Sequence, residues 1–294
     1  MRIGISSPIV TRVPGVHSQW EATAGIEELG RVAELADRLG FNHLTCSEHV
    51  AVPVEVAEQR GETYWDPLAT FGYLAARTST IRLATQVLVA GYHHPLAIAK
   101  RYGTLDRVSG GRLTLGVGVG SLREEFELLA APFEDRGPRA DDAIAALRAS
   151  LSTPKPEYHG SYYDFADQLV EPHAVQQQVP IWIGGRTKRS LRRAVRHGDG
   201  WVPFGLTPEE MADMLTAAAP PASFEVVLST GGPLDPLRSP GKAERKLRRL
   251  HEAGATVVGA GLSADSVEHY CEQLHALAGL AQRLGFHDTG GTGP

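Results

Sequence analysis

The stretch Ser47-Glu48-His49 places a carboxylate and an imidazole next to each other in the sequence. An imidazole can give up or take a proton near neutral pH, and a neighbouring carboxylate can position it. General acid–base catalysis by His49, with Glu48 as its neighbour, is therefore the first chemistry that these residue types indicate. Surface Glu-His pairs have the same sequence, so a structural role stays open at this point.

A second stretch, Gly184-Gly185-Arg186-Thr187, has the composition of a phosphate-binding turn. It follows an apolar run and precedes a helical pattern, so helix-start amides, a guanidinium and a hydroxyl would lie together. The glycine-rich stretch at residues 116–120 could likewise let a flat ligand approach the backbone. An ordinary turn with a surface arginine, or tight strand packing, would explain the same residues.

Two adjacent histidines, His93-His94, and two cysteines, Cys46 and Cys271, are further candidates. Adjacent imidazoles rarely share one metal ion, and no third ligand is near them in the sequence. Two isolated cysteines form neither a metal cluster nor a disulfide framework. We therefore predict no metal site.

Strand-like and helix-like stretches alternate along almost the whole chain and determine where these residues lie. Short apolar, β-branched runs predict strands, and apolar residues at helical spacing predict the helices between them. The predicted strands are residues 3–6, 43–46, 81–89, 113–119, 180–184, 200–204, 224–229 and 255–260. Residues 153–178 interrupt the alternation with a hairpin, and we predict an insertion there.

Eight strand–helix units predict an α/β fold, a (β/α)8 or TIM barrel, within one domain over residues 1–286. An open doubly wound sheet is disfavoured, because no Gly-x-Gly-x-x-Gly turn follows the first strand. In a barrel, chemistry is carried by the loops at the C-terminal ends of the strands, where the stretches described above lie. Residues 287–294 are rich in Gly and Thr, and we expect a disordered tail.

The 294 residues are 42% hydrophobic and 21% charged, with a formal net charge of −5. This is the composition of a globular domain. Because the net charge is negative, it gives no indication of a nucleic-acid partner. Local basic clusters at residues 186–196 and 242–249 have helical spacing and are interpreted as solvated helix faces. Neither a signal peptide nor an apolar run near the ~20 residues of a membrane helix is recognisable, so we expect a cytoplasmic protein without membrane contact.

Taken together, these stretches resemble the luciferase-like monooxygenase family, in particular its branch that uses the deazaflavin coenzyme F420. The matching landmarks follow one another in the family's order over residues 1–204. They are Gly40-Phe41, Ser47-Glu48-His49, His94-Pro95, residues 106–120, Glu124-Glu125-Phe126, residues 133–137, residues 180–186 and Gly198-Asp199-Gly200-Trp201. From residue 205 onward only the alternation of strands and helices matches.

The resemblance implies a TIM barrel with a flavin or deazaflavin ring across the third strand and a non-prolyl cis peptide at Gln86-Val87. It places the catalytic residues His49 and Glu48 beside the ring. The implied cofactor-binding residues are Gln86, Val87, Val89, Val119, Gly120, Glu124, Gly184, Gly185, Arg186 and Thr187. Within this set, Val89 and Val119 would lie along the tail of the cofactor. Glu124 would lie near its ribityl chain, and residues 184–187 would lie at its phosphate.

The resemblance also implies a homodimer, and a flavin or F420 reductase as a partner that supplies reduced cofactor. Two positions depart from the family's sugar-phosphate dehydrogenases. Ser121 stands where those enzymes have a catalytic glutamate, and Glu124 where they have an asparagine. We therefore do not expect sugar-phosphate oxidation.

Three functions stay open. The preferred one is an oxidoreductase that uses coenzyme F420 for hydride transfer to or from a small organic substrate. The alternatives are an FMN-dependent monooxygenase of the same fold, which uses reduced flavin and oxygen, and a non-catalytic cofactor-binding relative, against which Glu48-His49 argues. The substrate is not evident, because the loops that would contact it have no recognisable signature.

Overall fold

The computed structural model describes residues 1–286, which form the predicted eight-stranded parallel barrel. The strands are β1 (Arg2–Ile5), β2 (His43–Cys46), β3 (Arg82–Thr85), β4 (Leu113–Gly118), β5 (Ile181–Gly184), β6 (Gly200–Val202), β7 (Glu225–Ser229) and β8 (Val257–Ala260). Each strand pairs in parallel with the next, and β8 pairs with β1, so the sheet closes on itself.

Within residues 1–286, eight helices pack around the barrel. They are α1 (Ile26–Arg38), α2 (Pro67–Arg77), α3 (Pro95–Val108), α4 (Arg136–Ser150), α5 (Lys188–His197), α6 (Pro208–Ala218), α7 (Pro240–Glu252) and α8 (Val267–Arg283). The sequence sets several of their starts, because α2, α3, α6 and α7 each have a proline in the first turn. Two shorter helices, Val54–Arg60 and Arg123–Leu128, lie in the loops after β2 and β4.

The hydrophobic core lies mainly between the barrel and its helices. Outward-facing strand residues such as Ile5, Leu44 and Leu83 are completely buried there. A smaller apolar cluster fills the barrel interior, and its members are Ala84, Trp182, Val202, Val227 and Val257. Because side chains alternate along a strand, these inward positions are followed, two residues on, by positions that face the C-terminal mouth.

Polar contacts close the N-terminal end of the barrel. Glu225 forms an ion pair with Arg2 and accepts a hydrogen bond of 2.5 Å from Nε1 of Trp182. The fully buried ring of His43 packs edge-on against Trp182, with 5.3 Å between the ring centroids. Burial, together with the charges of Arg2 and Arg82, lowers the pKa of His43 to about 3, so this imidazole is neutral.

The third strand is shorter than the sequence predicts. Regular pairing of β3 ends at Thr85, and Leu88–Val89 then pairs with the end of β4. Between these parts the Gln86-Val87 peptide bond is cis, at the position that the family resemblance implies.

The sequence analysis missed the helix Val54–Arg60 and a two-stranded antiparallel sheet that joins Thr11–Arg12 to Thr63–Tyr64. Strands of two residues are too short to show a periodic pattern, which explains the omission. The hairpin in the insertion is confirmed, and it consists of Tyr158–His159 and Asp164–Phe165. Asp142 on α4 accepts three hydrogen bonds of 2.6–3.0 Å from the insertion, which fixes it against the barrel.

No helix within residues 1–286 is both long and apolar enough to cross a membrane. Cys46 and Cys271 are both free thiols. The tail for which we predict disorder lies outside the described residues.

Candidate active site

The C-terminal ends of the strands surround an open cavity of about 530 Å³. Part of its polar lining directly follows barrel strands, and these residues are Ser6, Ser7, Ser47, Gln86, Thr230 and Gly261. The N-terminal loop and α8 contribute His17, Glu21 and Tyr270. A cavity at this end of a TIM barrel is where an active site is expected.

Glu48 is buried, and both of its carboxylate oxygens have partners in the protein. Oε2 accepts a hydrogen bond of 2.7 Å from the amide of Val89, and Oε1 lies 2.7 Å from Nε2 of His93. Glu48 therefore ties the loop after β2 to the segment after β3. It is not among the residues that line the mouth cavity.

His49 contacts a carboxylate that the sequence analysis did not assign. Its Nδ1 lies 2.7 Å from Oε2 of Glu125, whose side chain is completely buried. The other oxygen of Glu125 accepts hydrogen bonds from the amides of Val50 and Ala51 at 2.5 and 3.2 Å. Glu125 takes the Nδ1 side of the imidazole, which leaves Nε2 as the other nitrogen. His49 is not itself among the residues that line the mouth cavity, but it follows the lining residue Ser47 by two positions.

The surroundings of Glu125 keep it ionised. Burial by itself would raise its pKa, but hydrogen bonds from His49, from the hydroxyl of Tyr92 and from the amide of Val50 outweigh burial, so the pKa lies below its ordinary value. Burial and the contact with Glu125 raise the pKa of Tyr92, which therefore remains a neutral donor. An ionised carboxylate on Nδ1 holds His49 in one orientation and one tautomer.

The sequence did contain a signal for Glu125. The helix Arg123–Leu128 buries Phe126, and Leu122 just before it is buried as well. Glu125 is three positions after Leu122 and therefore lies on this inner face, whereas Glu124 is exposed. The family resemblance favoured Glu124 for the ribityl chain, but the structure brings Glu125 to His49.

Several residues implied to bind the cofactor meet around Val87. A Cβ atom on Gly118 would lie 2.7 Å from Val87, and one on Gly184 would lie 3.1 Å from it. A Cβ on Gly116 would lie 1.9 Å from the carbonyl oxygen of Thr85. Because these glycines have no Cβ, β4 and β5 can approach the end of β3 closely. This contact agrees with the alternative in which the glycines at residues 116–120 serve tight strand packing.

Further members of the implied set lie beside this contact. A Cβ on Gly120, where φ is +76°, would lie 2.8 Å from the buried Val89. Val119 is half-buried next to them. Gln86 lines the mouth cavity, and its carbonyl accepts a hydrogen bond of 2.7 Å from the hydroxyl of Ser47. The ends of β3 and β4 therefore present these residues together.

The predicted phosphate turn lies at the start of α5. The hydroxyl of Thr187 accepts a hydrogen bond of 3.1 Å from the amide of Ser190, and the Ser190 hydroxyl accepts one of 3.1 Å from the amide of Thr187. Gly185 has a φ of +140°, and a Cβ there would lie 2.6 Å from Ser190. The Thr187 hydroxyl is thus engaged in capping the helix.

Arg186 is exposed, and its guanidinium lies 5.8 Å from the ring centroid of Phe204, which lines the mouth cavity, whereas Arg186 itself does not. No ion pair of Arg186 occurs within residues 1–286. The amides of Lys188 and Arg189, the first two residues of α5, have no partner inside the helix and lie at the positive end of its dipole. Arg186 and these amides are the groups that remain for a phosphate.

Tyr270 and Thr11 line the mouth cavity, and their buried hydroxyls have no hydrogen-bond partner in the described part of the chain. Tyr270 is 1% exposed, and burial followed by the charge of Glu21 raises its pKa, so the phenol is neutral. Nε1 of Trp20, whose ring centroid lies 5.8 Å from that of Tyr270, is also unpartnered. Buried polar atoms without protein partners are candidate contacts for a bound molecule.

Residues 1–250 match the family model described as luciferase-like monooxygenase. The chain belongs to the luciferase-like monooxygenase family. The matched residues contain β1 to β7, and with them His49, Glu125, Val87 and the phosphate turn.

Relatives of this luciferase-like chain use different cofactors. An uncharacterised Mycobacterium tuberculosis protein is 29% identical over 242 residues, which cover 78% of this chain and 83% of that protein. The oxygenase component of a flavin-dependent trigonelline monooxygenase from Acinetobacter baylyi is 28% identical over 194 residues, 64% of this chain and 52% of the relative. An F420-dependent glucose-6-phosphate dehydrogenase from Microbacterium testaceum is 30% identical over 200 residues, 66% of this chain and 57% of the relative.

The luciferase-like fold is also found among solved structures. A monooxygenase from Streptomyces bottropensis superposes with a TM-score of 0.75, over 97% of this chain and 100% of that chain, at 24% identity. This likeness confirms the closed eight-stranded barrel with its surrounding helices.

In this luciferase-like chain the two adjacent histidines have separate partners. His93 contacts Glu48, whereas Nδ1 of His94 accepts a hydrogen bond of 3.2 Å from the amide of Leu96 at the start of α3. Among the described residues, no group of three or more His, Cys, Asp or Glu side chains is arranged to hold a metal ion.

Proposed function

We propose that this luciferase-like chain is an oxidoreductase that uses coenzyme F420 for hydride transfer to or from a small organic substrate. The observation that carries the proposal is the contact between His49 and the buried carboxylate of Glu125. Hydride transfer to a carbonyl group requires a proton at the oxygen, and an imidazole oriented through Nδ1 can deliver it from Nε2. When bound, the deazaflavin supplies the hydride donor or acceptor.

The residues at the barrel mouth fit such a cofactor. Gln86 lines the cavity at the end of β3, Val119 directly follows β4, and the open cavity leaves room for a flat ring. Arg186, together with the first amides of α5, is suited to a phosphate, since its charge is not neutralised by any carboxylate within residues 1–286. Gly184 and Gly185 connect these two parts.

Each of the surrounding side chains has a distinct part in the proposed reaction. His49 holds or releases the proton at Nε2, and Glu125 fixes the imidazole from the Nδ1 side. Tyr92 donates to the same oxygen of Glu125 and keeps that carboxylate in place. Glu48 positions the loop that carries His49, through its contacts with the segment after β3.

The second candidate is an FMN-dependent monooxygenase, and the likeness to the flavin-dependent trigonelline monooxygenase favours it. The two cofactors have rings of nearly the same shape, but a reduced deazaflavin does not activate oxygen usefully.

Absorbance titration of the purified protein with F420 and with FMN tests the proposal. Oxygen uptake with each reduced cofactor, and a screen of small carbonyl compounds for hydride transfer, complete the test.

Tight binding of F420, with hydride transfer and no oxygen uptake, is the expected result. Selective binding of FMN, with oxygen uptake on addition of a reductase, would establish the second candidate instead. Binding of neither cofactor would indicate a non-catalytic relative.

We also propose that the protein is a homodimer and that a separate reductase regenerates its cofactor. Light scattering at micromolar concentration is expected to give about twice the mass of one chain. The mass of a single chain under these conditions would contradict the dimer.

A further inference from the structure

A groove of about 710 Å³ runs between α7 and the loop after β7. Four cationic side chains line it from one face of α7, with the spacing i, i+3, i+4 and i+7. They are Lys242, Arg245, Lys246 and Arg249. We call this feature the basic groove.

The charges of the basic groove are not neutralised within the protein. None of the four cations forms an ion pair in residues 1–286, although nearby Arg248 pairs with Glu244. The groove contains one carboxylate, that of Asp235, which accepts hydrogen bonds from Nε2 of Gln273 and from the amide of Arg238. Four cations therefore face one carboxylate, and the groove attracts anions.

The basic groove and the mouth cavity border the same loop. Residues 230–233 line both, so an anion bound in the groove lies next to the loop that forms part of the cavity lining. Within the cavity lining, the buried carboxylate of Glu21 disfavours a second anion. Tyr270 and Thr11, whose buried hydroxyls are unpartnered, line the same cavity and suit a neutral group that can form hydrogen bonds.

This polarity would orient a bound molecule. An anionic end is attracted to the basic groove, and a neutral polar end suits the cavity that Tyr270 and Thr11 line. We propose that the substrate is an organic anion that binds a phosphate or carboxylate group in the basic groove and places a hydroxyl or carbonyl group against Tyr270. The inference rests on the proposed function only in taking the mouth cavity as the place of reaction.

The cofactor is a less suitable source of the anion. The turn with Arg186 follows β5, whereas the basic groove follows β7, two strands further around the barrel. Two separate anion sites at the mouth therefore suit two molecules, with the cofactor phosphate at the first and the substrate at the second.

Calorimetric titration of the full chain with pyrophosphate tests the groove without a known substrate. The titration uses an Arg186→Ala background at low ionic strength, so that the phosphate turn contributes little. The double variant Arg245→Glu/Arg249→Glu is expected to weaken pyrophosphate binding by about 10-fold or more, because two contacts become repulsive. Added salt should weaken the remaining binding.

A matched control lies on α5. Arg192 and Arg196 are also exposed, have the same i, i+4 spacing, and line a separate depression that shares no residue with the mouth cavity. The variant Arg192→Glu/Arg196→Glu should leave pyrophosphate affinity within about 2-fold of the background. Equal losses in both variants would show general surface attraction only, and absence of pyrophosphate binding would remove the site; either result overturns the inference.

A second measurement separates substrate from cofactor. The affinity for F420 or FMN, whichever the wild-type protein binds, should be unchanged in Arg245→Glu/Arg249→Glu. A loss of cofactor affinity there would assign the groove to the cofactor and overturn the substrate class. If the protein binds neither cofactor, the proposed function fails, while the pyrophosphate result still decides the groove.

Discussion

Nδ1 of His49 and Oε2 of Glu125 lie 2.7 Å apart, in a contact between the loop after β2 and the short helix after β4. This pair gives the first prediction. His49→Ala should lower turnover by roughly 100-fold or more, since it removes the proposed proton donor. Glu125→Gln should lower turnover by about 10-fold or more with little change in KM, because the imidazole loses the charge that orients it.

Steady-state kinetics as a function of pH, with a substrate from the carbonyl screen, would measure these effects. Glu127→Gln is the control, because Glu127 is exposed on the same short helix. An altered pH profile for Glu125→Gln, with an unchanged melting temperature, indicates positioning of His49. Wild-type turnover in His49→Ala would exclude His49 as the proton donor.

The second prediction concerns the phosphate turn. Arg186→Ala should weaken cofactor binding by about 10- to 100-fold, the range for a hydrogen bond to a charged group. The loss should shrink at high salt, because Arg186 is exposed. Fluorescence titration measures the dissociation constant, and Arg192→Ala, an exposed arginine within α5, serves as control. An unchanged dissociation constant for Arg186→Ala would remove this residue from the site.

The third prediction separates a ligand contact from a packing contact. Tyr270→Phe removes a buried hydroxyl that has no partner within residues 1–286, so the free protein should melt at the same temperature or higher. Tyr158→Phe removes a hydroxyl that donates to Asp142 at 2.6 Å and should cost about 1 kcal/mol of stability. Thermal melting of both variants provides the comparison. A clear loss of stability in Tyr270→Phe would show that its hydroxyl is already used by the protein.

The fourth prediction concerns acid stability. The pKa of His43 is about 3 in the folded protein, so the unfolded chain, with an ordinary histidine pKa of about 6.5, binds the proton more readily. The free energy of unfolding should therefore fall as the pH drops from about 6.5 toward 3. Urea denaturation at pH 7 and pH 5 should show a decrease about 2 kcal/mol smaller in His43→Gln than in the wild type.

His159 is the matched control for this measurement. It is exposed, and the hydrogen bonds that its ring donates to Glu157 and Asp164 raise its pKa, so its contribution has the opposite sign. Replacing His159 with Gln should therefore not flatten the acid side of the stability curve. Equal slopes for wild type and His43→Gln would mean that His43 titrates normally in the folded state.

The barrel could be predicted from the sequence because each strand–helix unit carries its own pattern. The first helix shows this, since it ends at Arg38 and Gly40 takes a φ of +75°, as its position after the apolar spacing predicts. The loops that carry the candidate catalytic and phosphate-binding residues could be located for the same reason. The stretches after β2 and β5 follow recognisable strands.

The contacts within the site could not be predicted in the same way. Glu124 and Glu125 are adjacent and of one type, and the buried face that Leu122 and Phe126 mark on the short helix became evident as the site-facing one only in the structure. Thr11 and Tyr270 come from opposite ends of the chain and share a cavity wall only after the barrel has closed. Local periodicity describes elements, whereas these relationships depend on which elements become neighbours.

The packing of Val87 among glycines has a consequence for variation in this protein. Position 87 and positions 116, 118 and 184 share one small volume, so a change at one limits what the others can accept. Directed-evolution libraries that randomise the glycines one at a time should therefore return mostly unfolded members. Libraries that first reduce Val87 to alanine would open positions 118 and 184, but not 116, where the backbone of Thr85 is the obstacle.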